Sequence, residues 1–152
     1  MIWLLACTGR CPEGFEPGPQ RALEELAGQE LAPVCLGELE HSVTDGALLL
    51  LDRDLELTAQ GARAAHLQQH LERPPLSPGP GCLDRAIRAE ARAWVGELSI
   101  REAHGLPLRY PFERAWREGH DERVVETWLW DNPAGGPHVD GLVDAYRLRC
   151  EA

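Results

Sequence analysis

The sequence predicts an α/β protein: a single-domain mixed sheet over residues 1–152, flanked by helices and closed by a C-terminal antiparallel strand pair. Three stretches carry that expectation. Leu48 to Leu51 is an unbroken apolar run, opened by Asp45-Gly46 and closed by Asp52-Arg53-Asp54, which reads as a strand covered on both faces. Directly after it, Thr58 can cap a helix whose Ala64, Ala65, Leu67 and Leu71 form one apolar stripe, ending before Pro74-Pro75. Near the C-terminus, Val124 to Trp130 is rich in β-branched and aromatic residues, and Leu142 to Cys150 alternates in a period of two. The loop formers Asn132 to Pro137 lie between them, so the two stretches read as partners in a hairpin.

The remaining elements follow from local signals. Ile2 to Ala6 reads as a buried first strand, turned at Cys7 to Pro12. Gln20 to Ala27 places Ala22, Leu23 and Leu26 on one side of a short helix that Gly28 can stop. Leu31 to Leu36 reads as a short strand, with Pro33 confining it to an edge or a strand start. Pro74 to Gly81 holds enough prolines and glycines to form a loop over the domain. Leu83, Ile87, Ala91, Trp94, Val95 and Leu98 mark the buried face of a long helix, whose Arg and Glu residues are expected to be wet. Pro111 can open a further short helix, with Phe112, Ala115 and Trp116 on its apolar face and Gly119 at its end.

Composition narrows the function. The chain carries 25 acidic and 15 basic residues for a net charge of −10, and every basic residue other than histidine is an arginine. Such a field repels nucleic acid and anionic membrane unless arginines are focused locally, and Arg85, Arg88 and Arg92 recur at helical spacing. They are read as solvated, interleaved with Asp84 and Glu90. The opening Met1 to Ala6 is too short for a secretory signal and no run approaches a membrane span, so the five cysteines are expected as reduced thiols in a cytoplasmic protein.

Candidate chemistry gathers at a few positions. Cys7 and Cys11 follow the first expected strand and could share a metal or oxidise together. His66 and His70 stand at i and i+4, the spacing that lets two imidazoles reach one metal from one helix face. Position 67 is Leu, so the HExxH metalloprotease pattern is absent. Asp52 and Asp54 end a buried strand, where open α/β sheets place ligands and catalytic acids. Parallel first and central strands would bring Cys7, Thr8 and Arg10 to the same edge as Asp52, with Trp128 as a wall. Trp128 and Trp130, on one face of an expected strand, could floor an apolar pocket.

Local segments carry three resemblances to known families. Met1 to Glu72, with Cys7, Cys11 and Cys35, resembles thioredoxin-like ferredoxins and small thioredoxin-like metal-binding proteins. The second cysteine pair of that family is reduced here to Cys35, followed by Gly37 and Leu39. Asp54 to Gly61, followed by Ala64-Ala65, resembles the helix-opening DxxLTxxG segment of histidine phosphatases. Cys7-Thr8-Gly9 stands where that family has Arg-His-Gly, which implies a degenerate, phosphatase-like relative. Asp45 to Leu67 and Val124 to Cys150 resemble the opening and closing parts of PAS-type sensor modules. The three imply different folds, and none is taken as a family assignment.

The expectation is therefore a module that binds a small ligand or a protein, without an assembled catalytic constellation and with no cofactor required by the sequence. The rival expectations are a metal-assisted hydrolase using Asp52 and Asp54, and a thiol or metal protein using Cys7 and Cys11.

Overall fold

The computed structural model describes residues 10–151 and has a mixed α/β fold. The strand expected at Ile2 to Ala6, and the candidates Cys7 and Thr8, lie outside these residues. The chain divides into two compact units, the first ending at Leu71 and the second starting at Glu72.

The first unit holds β1 (Glu16–Pro17), α1 (Gln20–Ala27), β2 (Val34–Gly37), β3 (Val43–Asp45), β4 (Leu48–Asp52) and α2 (Leu57–Glu72). The strands form one sheet in the order β1-β2-β4-β3; β2 and β4 are parallel, and the two outer pairings are antiparallel. The Leu48 to Leu51 run is thus an interior strand, as its apolar continuity requires. Alternation puts Val34, Leu36, Leu49 and Leu51 on the side where Leu23 of α1 and Ala64 and Leu67 of α2 complete a core. Leu50 and Cys35 pair on the opposite side and are also buried.

Local chemistry sets the boundaries. Gly28 ends α1 with a left-handed φ of 68°. Gly46, with φ of 57°, takes the first place in the two-residue loop between β3 and β4, where hairpins favour glycine. Pro33 falls just outside β2, whose entry is held by Gln20: the side chain donates to the carbonyls of Leu31 and Ala32 and accepts from the Val34 amide at 2.9 Å.

The second unit is helical, built from α3 (Cys82–Ala103), α4 (Glu113–Gly119), α5 (Glu122–Asp131) and α6 (Leu142–Glu151). Ile87, Ala91, Trp94 and Leu98 of α3 form the spine of its core, against Phe112, Trp116, Val125, Leu129, Val143 and Tyr146. Trp94 meets Tyr110 and Phe112 edge to face at centroid distances of 4.6 and 5.2 Å.

Three expectations are corrected here. The C-terminal strand pair is a pair of helices, and the strands of the described residues are N-terminal. Asp121 accepts a hydrogen bond from the Arg123 amide at 2.9 Å and so starts α5 as a helix, with Val125 and Leu129, four apart, buried against the core. In α6 the buried residues are Val143 and Tyr146, while Leu148, which strand alternation would cover, is 72% exposed. The reduced-thiol expectation also fails among the described cysteines: Cys11 is bonded to Cys35 and Cys82 to Cys150, with Cα separations of 5.6 and 5.8 Å. The Arg/Glu face of α3, finally, is only partly wet. Asp84, Arg85, Arg88 and Arg92 are exposed, but Glu90, Glu97 and Arg101 are buried.

Candidate functional site

In the first unit, Asp52 stands at the carboxyl end of β4 beside Gly37 of the parallel β2. Its carboxylate accepts from the Asp54 amide at 3.0 Å, its own amide donates to Ser42 Oγ at 3.2 Å, and the Arg53 amide donates to the Gly37 carbonyl. This is an Asx turn that leads the chain out of the strand, and it accounts for Asp52 structurally. Asp54 is exposed, and neither aspartate joins a cluster of three metal-ligating side chains among the described residues. Arg10 is exposed. Cys11 is half-buried and its sulfur is committed to Cys35, so it offers no thiolate to a metal. Trp128 lies in the second unit, on α5, and packs edge to face on Phe112 at 5.3 Å between centroids. On a helix, Trp128 and Trp130 do not share a face as they would on a strand.

His66 and His70 meet as their spacing requires. Their rings stack with centroids 4.9 Å apart at 23°, and their Nε2 atoms approach to 2.9 Å. His66 is buried and His70 half-buried.

The second unit carries polar chemistry that sequence reading missed. Glu90 accepts from the Tyr146 hydroxyl at 2.7 Å and from Arg73 at 3.3 Å, and Arg73 also donates to the Tyr146 oxygen at 2.5 Å. Burial pushes the Tyr146 hydroxyl well above the ordinary tyrosine range; the neighbouring Glu90 charge adds to the rise and Arg73 opposes it. One turn pair further along, Glu97 accepts from the Tyr110 hydroxyl at 2.5 Å. Glu113, fully buried, accepts from Arg101 and Arg117, each at 2.9 Å, and from the amides of Arg109 and Tyr110. The signal was spacing: Glu90, Glu97 and Arg101 recur at i, i+7 and i+11 and therefore share one face of α3.

Beside this ladder, the loop that opens the unit and the start of α3 together line an open hollow of about 400 Å³. Pro75, Leu76, Ala86 and Ala89 make its walls largely apolar, and Arg73 and Arg85 also line it. Arg73 is committed to Glu90 and Tyr146. Arg85 donates to the carbonyls of Ser77 and Pro80, at 3.4 and 3.3 Å, and pairs with no carboxylate among the described residues. An apolar cleft of this size lined by two arginines suits a compact anion with an apolar body. Comparison with known protein families, with curated proteins and with solved structures finds no match to this chain.

Proposed function

We propose that the chain is a binding module that takes a small organic anion with an apolar body in the hollow between the Arg73 to Gly81 loop and α3. One observation carries the reading: in a chain of net charge −10, two arginines line the same apolar cleft. The Arg85 charge, held among the described residues by carbonyl oxygens, can pair with a carboxylate, sulfonate or phosphate, while Leu76, Ala86 and Ala89 cover the apolar part. A binding role, rather than a hydrolytic one, is supported by the structural use of the Asp52 carboxylate in its turn. No helix among the described residues is long and apolar enough to cross a membrane. The two disulfides favour an oxidising compartment over the cytoplasm expected above.

The fluorescent anion 8-anilinonaphthalene-1-sulfonate has the required shape and charge. Titration should show one saturable, blue-shifted site per chain, weakened several-fold in Arg85→Ala and abolished in Ala89→Trp, where the indole fills the hollow. Equal binding to wild type and to folded Ala89→Trp would overturn the proposal.

A further inference from the structure

The strongest unassigned chemistry lies in the first unit, on α2. The ring centroids of His66 and His70 are 4.9 Å apart, but their Nε2 atoms only 2.9 Å, so the rings converge at their nitrogen edges. Two unprotonated nitrogens would oppose lone pair to lone pair, and a shared proton or a shared metal ion removes that repulsion. We propose that this pair is a binding site for a divalent transition metal, selective for copper(II).

The distance, which a hydrogen bond also satisfies, fits an ion as well. Two nitrogens, each about 2.0–2.1 Å from a common metal and separated as these are, subtend roughly 90° at it. That is the angle between neighbouring ligands in a square-planar or octahedral centre; a tetrahedral zinc would draw the nitrogens further apart. Imidazole suits copper(II), which prefers tetragonal geometry and stands at the top of the divalent affinity order. The pair fills two adjacent positions and leaves the others to water or further donors.

Arg63 works against the metal. Its Nη1 lies 3.5 Å from His66 Nδ1, and a guanidinium can only donate, so this contact favours the His66 tautomer with its proton on Nε2. In that form the Nε2 hydrogen points to His70 and the pair is held by a hydrogen bond. Copper binding requires both Nε2 lone pairs: the His66 Nε2 proton leaves to solvent, Nδ1 takes one up, and two waters leave the metal's shell. The exchange leaves the number of protons on the two rings unchanged. Arg63 therefore lowers affinity twice, through the tautomer and through its charge.

The test uses full-length, tag-free protein, stripped with a chelator and alkylated at free thiol. It is titrated with copper(II), nickel(II) and zinc(II) chlorides under calorimetry, with electron paramagnetic resonance on the copper sample. One copper per chain with nitrogen superhyperfine splitting is expected, bound more tightly than nickel or zinc. Affinity should drop at least tenfold in His70→Gln, stay unchanged in the exposed-residue control His138→Gln, and rise several-fold in Arg63→Gln. Because His66 is buried, His70→Gln is the primary variant, and circular dichroism checks its fold. Absence of a stoichiometric copper signal, or equal copper affinity in wild type and folded His70→Gln, overturns the proposal and leaves a proton-sharing pair.

Discussion

Cys82, the first residue of α3, is bonded to Cys150 in the last turn of α6, so one covalent link closes a loop across 68 positions of the chain. Closing a loop of that length restrains the unfolded chain more than the folded one. Chain-entropy arguments put the effect at roughly 4 kcal/mol before any native-state strain is subtracted. Urea unfolding of Cys150→Ala should show a loss of about 2–4 kcal/mol, and a dithiol reductant, which opens Cys11–Cys35 as well, should cost the wild type at least as much. An unchanged midpoint in both cases would mean that the bond contributes nothing. Two disulfides among five cysteines also limit alkylation of the denatured, non-reduced protein to at most one site, readable by mass.

Tyr146 makes stability depend on alkaline pH. Burial, reinforced by Glu90, raises its pKa above the ordinary value of 10.0, so the folded protein keeps the phenolic proton where the unfolded chain has released it. With fewer protons bound in the unfolded state, stability falls as pH rises. The Tyr146 contribution is complete below about pH 10 and is lost as pH climbs towards the folded-state value. Tyr146→Phe leaves Glu90 and Arg73 short of a partner and should cost about 1–3 kcal/mol at neutral pH. It should also flatten the decline in unfolding free energy between about pH 9 and about pH 11, measured in urea. Equal slopes in the two proteins would rule out Tyr146 as the titrating group.

What could be read from the sequence depended on whether one signal dominated locally. The Leu48 to Leu51 run, Gly28 after α1 and the Leu83 to Leu98 stripe each had no rival period, and all three appear as expected. Val124 to Trp130 carried two signals: β-branched and aromatic composition favoured a strand, while Asp121 as cap and the four-residue spacing of Val125 and Leu129 favoured a helix. Burial against α3 decided for the helix, as tertiary packing commonly overrides strand propensity. The same happened at α6, where Val143 and Tyr146 lie three apart and face the core. The His66 and His70 pair was legible because i and i+4 place two side chains together without help from the rest of the fold. The hollow was not, because it depends on how a proline-rich loop folds over α3, and no periodicity encodes that path. The disulfide partners were hidden for a related reason: Cys11 reaches Cys35 only after β2 and the preceding loop have taken their places.

The far face of the sheet gives the last prediction. Gly37 ends β2 and is buried, and a Cβ built on it would fall within the ring of Phe15. Its φ is not in the left-handed region, so the requirement for glycine there is steric rather than conformational. Phe15 has little freedom to withdraw, because its amide donates to the Pro12 carbonyl at 3.0 Å and Cys11, just upstream, is tied to Cys35 in the same strand. Gly37→Ala should therefore cost about 1–3 kcal/mol through overpacking. Phe15→Leu alone should cost less than the usual core truncation, since the ring is only half-buried. Combined, the two changes should be far from additive: the smaller side chain makes room for the methyl group, and the double mutant should recover most of the Gly37→Ala loss. A double-mutant cycle by urea unfolding reads this coupling directly. Additive losses, or a Gly37→Ala protein as stable as the wild type, would show that Phe15 is not held over the strand end.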